Sequence, residues 1–74
     1  MQRYQNLAGN SGVEAFELAP RSIRVRFAGG DCYLYTYASA GKEHVQAMKR
    51  LAKEGRGLSS YISSHVKDGY AARE

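Results

Sequence analysis

The 74 residues carry 11 Lys and Arg against 7 Asp and Glu, for a net charge of +4, and 43% of them are hydrophobic. That balance excludes a disordered chain and fits one small folded domain, while a lone cysteine, Cys32, excludes an internal disulfide. No apolar run reaches the length of a membrane span and no basic-then-apolar start resembles a signal peptide, so the expectation is a cytoplasmic chain with no membrane partner.

Residues 1–12 lack periodicity and end in turn formers, which predicts a flexible N-terminal arm before a domain over 13–70, with 71–74 as a tail. Val13 to Leu18 reads as a first strand, with Phe16 and Leu18 on one face and Ala15 and Glu17 on the other. Val13 falls on the wrong parity, which a bulge or an edge position would explain. After a turn at Pro20, Ile23, Val25 and Phe27 alternate with Arg24 and Arg26, a half-buried strand. Gly29-Gly30 closes a hairpin, and a third strand runs from Asp31 to Tyr37.

Ser39 or Gly41 can then cap a helix over Lys42–Glu54, whose stripe is Val45, Met48, Leu51 and Ala52 and whose stop is Gly55. A shorter helix follows from about Leu58 to Val66, with Leu58, Tyr61, Ile62, His65 and Val66 on one stripe. The order predicts an α+β fold: a three-stranded antiparallel meander followed by two helices packed on one face, βββαα. The expected core is Phe16, Leu18, Ile23, Val25, Phe27, Leu34, Val45, Met48, Leu51, Leu58, Ile62 and Val66.

Tyr33, Tyr35 and Tyr37 alternate along the third strand and must share a face, which hairpin register assigns. A two-residue Gly29-Gly30 turn places Leu34 in the core and the rings outside, beside Arg24 and Arg26. A three-residue loop ending in a left-handed Gly30 places Val25 opposite Tyr33 and Ile23 opposite Tyr35, so the rings join the core. Glycine at both positions permits either.

The outward register would give a platform for single-stranded RNA or other nucleic acid: bases stack on Tyr33, Tyr35 and Tyr37, and Arg24 and Arg26 attract the backbone. Lys49, Arg50, Lys53 and Arg56 form a second basic cluster at the end of the first helix. The contrasting expectation is a protein partner or a homodimer, formed through the tyrosine face or the edge of the first strand. Gly55, Gly57 and Ser59, beside Arg56 at the start of the second helix, are the candidate anion site. No paired-carboxylate spacing and no Cys/His set suited to zinc is present, and His44 and His65 stand on different helices. The expectation is therefore a binding domain and not an enzyme, with no cofactor.

Val25-x-Phe27, Gly30 and Tyr33-Leu34-Tyr35, followed by Gly55-Arg56-Gly57-Leu58-Ser59-Ser60-Tyr61-Ile62, resemble the KTSC family. These are small bacterial domains also found fused at the C-terminus of some lysyl-tRNA synthetases. The likeness spans residues 12–70. It departs from the family where Ala38-Ser39-Ala40-Gly41 replaces a Val-Pro, where Ser59 replaces an asparagine, and where Leu58 replaces an aromatic. The resemblance implies the same fold and, through the synthetase fusion, RNA binding by analogy. The polar residue that many members carry between the two tyrosines implies core-facing Tyr33 and Tyr35.

Overall fold

The computed structural model describes residues 1–9 and 11–74; Asn10, in the expected arm, lies outside the described residues. The chain is α+β, with one antiparallel sheet of five strands in the order β1-β2-β3-β4-β5. The strands are β1 (Gln2–Arg3), β2 (Val13–Ala19), β3 (Ser22–Phe27), β4 (Cys32–Thr36) and β5 (Ala72–Arg73). Between β4 and β5 lie α1 (Tyr37–Ala40), α2 (Lys42–Glu54) and α3 (Leu58–Tyr61), the last running on into a π-helical turn over Ile62–Val66. No helix among the described residues is long and apolar enough to cross a membrane.

The β3–β4 hairpin resolves the register. The Phe27 amide donates to the Asp31 carbonyl at 2.8 Å and the Gly30 amide to the Phe27 carbonyl at 2.8 Å, which encloses Ala28, Gly29 and Gly30 in a three-residue loop. Gly30 has φ 95°, the left-handed geometry such a loop needs at its third position. Val25 therefore opposes Tyr33 and Ile23 opposes Tyr35, while Arg24 opposes Leu34 and Arg26 opposes Cys32. Tyr35 is only 2% exposed, Tyr33 packs against the core, and Leu34 is corrected from core to the outer face. The energetics favour this register. Each buried tyrosine can remove roughly 150–250 Å² from water, so Tyr33 and Tyr35 as a pair outweigh Leu34 and the small Cys32.

On β2, Glu14 is an extra residue between the pairs Val13–Phe27 and Ala15–Arg26, and this bulge brings Val13 into the core with Phe16. Ala15 stays on the outer face yet is 3% exposed, held between its cross-strand neighbours Arg3 and Arg26.

The two chain ends differ from the expected arm and tail. Gln2 and Arg3 pair with Phe16 and Ala15, and Tyr4 is 3% exposed, its amide donating to the Glu14 carbonyl at 2.9 Å. The Tyr4 hydroxyl accepts from the Leu58 amide at 3.3 Å, so the arm carries a core ring and caps a helix. At the other end Arg73 and Ala72 pair with Tyr33 and Leu34. Both strands are two residues long, too short for any alternation to register in the sequence.

α1 ends the tyrosine alternation. Thr36 and Ser39 form a capping box, each side-chain oxygen accepting from the other residue's amide at 3.0 Å. The strand stops at Thr36, and Tyr37 turns out of the sheet as the first helical residue. α2 buries Val45, Met48 and Ala52 and closes on Gly55 at φ 80°, as its apolar stripe predicts. In the following helix the wider π turn keeps Ile62 and Val66 in the core but rotates His65 to the surface, against the expected stripe.

Candidate nucleic-acid interface

The outer sheet face is not a cationic aromatic platform. Tyr33 and Tyr35 lie on the opposite face, beneath the helices, and both arginines of β3 are already paired. The Arg24 Nε and Nη2 donate to the Glu74 carboxylate at 2.7 and 3.1 Å, and Nη1 donates to Glu17. The Glu74 hydrogen bonds, followed by that to Glu17, hold the Arg24 guanidinium above its usual range. Arg26 pairs with Glu14 at 2.9 Å. These cations are spent on a charge ladder across β2, β3 and the C-terminal strand.

Burial acts on Tyr35 in a second way. Loss of water around the phenol, reinforced by Tyr33, Tyr70 and Asp68, pushes its pKa up to about 12. Between pH 10 and 12 the unfolded chain releases this proton while the folded chain retains it, so stability falls as pH rises through that window. The loss expected is about 2 kcal/mol, and urea unfolding at pH 9 and pH 11.5 would reveal it. In Tyr35→Phe the part of the slope due to this residue should vanish.

Tyr37 meets a different environment. The Lys49 ammonium stands 5.7 Å from its ring centroid and donates to the backbone carbonyls of Ala19 and Pro20, which fixes the charge in place. Tyr37, Lys49, Arg50, Lys53, Gln46 and Glu54 line an open groove of about 440 Å³. On the other side the ring borders a second groove of about 490 Å³ with Arg21, Ser22, Thr36 and Ala38. Arg50 makes only a loose i,i+4 contact with Glu54, at 3.8 Å between exposed side chains. A partly buried phenol is thus bracketed by Arg21 on one side and by Lys49, Arg50 and Lys53 on the other. Arg56 lies beyond Gly55, exposed and outside both grooves.

The expected anion site is partly occupied by the chain itself. Gly55 is buried under the N-terminal segment: a Cβ there would come within 2.7 Å of Gln5 Cβ, and the Gly55 carbonyl accepts from the Leu7 amide at 2.7 Å. Gly57 and Ser59 border a small hollow of about 180 Å³ with Ala8, Ser11 and Ser60. The Leu58 amide between them already donates to Tyr4. Gly55 is therefore a packing residue, corrected from ligand contact to structural stop.

Two clusters escaped the sequence reading. His44 Nδ1 is hydrogen-bonded to the Tyr61 hydroxyl at 2.7 Å, and Tyr61 stacks on His65 with ring centroids 4.4 Å apart. Among the described residues no group of three metal-ligating side chains occurs. The second cluster is a cleft of about 550 Å³ between the Gly-turn end of the sheet and the π turn. Its walls are Phe27, Tyr33, Tyr35 and Tyr70, and Lys67 and Asp68 line it beside them. Phe27 meets Tyr33 edge-on at 5.6 Å, and Tyr35 meets Tyr70 edge-on at 6.3 Å. Lys67, which ends the π turn, has φ 31° and ψ −102°, a strained geometry for a residue with a side chain. Tyr70 belongs to no periodic segment, so only the return of β5 to the sheet could have placed it here.

Comparison with protein-family models, curated proteins and solved structures gave no match.

Proposed function

We propose that this chain is a non-enzymatic binding domain for single-stranded nucleic acid, RNA first, and that the contact surface is the Tyr37 groove. One observation carries the reading: Tyr37, Lys49, Arg50 and Lys53 share a groove although they come from two different elements. A base lying on an aromatic ring gains about 1–3 kcal/mol, and every base has a face to offer, so such a site is tolerant of sequence. The three cations of α2 would track phosphates, and Arg21 would meet the next one across the ring. The KTSC likeness belongs to the same proposal. Its Val25-x-Phe27 and Tyr33-x-Tyr35 residues meet on one hairpin face, where they build the core.

Homodimerisation ranks second. The aromatic face that would drive it turns inward, and the β2 edge that would admit a partner strand is paired with β1.

Fluorescence anisotropy with a labelled single-stranded RNA of about ten nucleotides tests the proposal. The expected dissociation constant is roughly 1–100 μM at 50 mM salt, weakening steeply towards 200 mM as counterions are released. Absence of binding at 50 mM salt up to about 100 μM protein would reject it.

A further inference from the structure

The cleft beside the π turn has no part in the Tyr37 groove, and it presents a different chemistry. We propose that it binds an organic cation, an alkylammonium or guanidinium group, held against the rings of Phe27, Tyr33 and Tyr70 and countered by the Asp68 carboxylate.

Three observations support this class of ligand. Phe27, Tyr33 and Tyr70 pack into one contiguous cluster, with Tyr33 5.6 Å from Phe27 and 4.9 Å from Tyr70, and all three stay partly exposed along the cleft, so a group in it meets ring surface from each. Asp68 lines the same cleft and makes no ion pair among the described residues, and it lies near enough to Tyr35 to help hold that phenol protonated. The chain also uses this chemistry on itself at the rim: the Arg73 guanidinium sits 5.6 Å from the Tyr33 centroid and 3.6 Å from the Asp31 carboxylate. Tyr70 and Asp68 repeat that combination of ring and carboxylate within the cleft. Lys67 is the one cation lining it, and it weakens the site electrostatically.

The test is an amide and aromatic chemical-shift titration of the full chain with tetramethylammonium chloride. The neutral isostere 2,2-dimethylpropanol and sodium chloride at matched ionic strength serve as controls. Saturable shifts confined to Tyr33, Tyr35, Lys67, Asp68 and Tyr70 are expected with tetramethylammonium alone. Asp68→Asn, an exposed position, should weaken binding about fivefold and Lys67→Gln should strengthen it about twofold. Tyr70→Leu should weaken it about tenfold, read only if its amide spectrum retains the native dispersion. A second arm titrates Nα-acetyl-arginine amide. Tighter binding of that compound at the same residues assigns the cation to a peptide side chain, and tighter binding of tetramethylammonium assigns it to a free quaternary amine. Equal shifts with the neutral isostere, no saturable shift, or indifference to both Asp68→Asn and Lys67→Gln would overturn the proposal.

Discussion

Tyr35→Ala should remove about half of the chain's stability. Tyr35 is the largest side chain that is fully buried, and it packs with Ile23 and Val25 across the sheet and Tyr70 from the C-terminal segment. Truncating an aromatic of this burial costs about 3–5 kcal/mol, through lost transfer energy and the cavity left behind. A 74-residue domain has a total stability of only about 4–11 kcal/mol to lose. Leu34→Ala, one position away on the outer face, should cost under about 1.5 kcal/mol. Urea unfolding followed by circular dichroism measures both. The ordering, with Tyr35→Ala far worse than Leu34→Ala, follows from the three-residue hairpin loop alone. A two-residue loop would reverse it.

The second large effect concerns Tyr37. Tyr37→Ala should weaken single-stranded RNA binding by about 5- to 150-fold, the equivalent of one lost stacking platform. Tyr35→Phe should leave affinity unchanged. Replacing Lys49, Arg50 and Lys53 together by glutamine should remove about two to three phosphate contacts from the salt dependence, flattening its slope by about 2. Tyr37 is partly buried and packs against the core, so the affinity of Tyr37→Ala is read beside its urea unfolding curve, which should show a loss of stability smaller than that of Tyr35→Ala. A folded Tyr37→Ala protein with wild-type RNA affinity would remove the stacking role.

Much of the architecture was legible in the residues. Alternation on β3, the apolar stripe of α2 and the left-handed stop at Gly55 each follow from a single local rule, and each stands where that rule puts it. The misplaced parity of Val13 announced the bulge at Glu14. What failed was decided by contacts distant in sequence. A glycine pair admits two loop lengths, and the choice rests on how much ring area the helices can cover. The terminal strands are invisible because two residues carry no period, although Tyr4 in a mostly polar arm was a signal that the segment had an anchor to bury.

The candidate site was legible only in pieces. Lys49, Arg50 and Lys53 stood out as a basic cluster on one helix, and Tyr37 stood out as an aromatic, but it was grouped with the wrong partners. The Thr36–Ser39 capping box separates it from the strand, and its sequence signature is weak because Ser39 replaces the usual Glu or Gln. Tyr33 and Tyr35 follow the sheet into the core, and Tyr37 alone reaches the basic helix. The pairing of Arg24 could not be known until Glu74 returned beside it from the far end of the chain, and that of Arg26 depends on Glu14 at the β2 bulge.

The most direct test follows the tyrosine ring resonances while single-stranded RNA is added at low salt. The Tyr37 ring signals should move first and saturate with the RNA, together with amides of Lys49, Arg50 and Lys53, while the Tyr33 and Tyr35 rings stay in place. Shifts at Tyr33 and Tyr35 with Tyr37 unmoved would contradict the account.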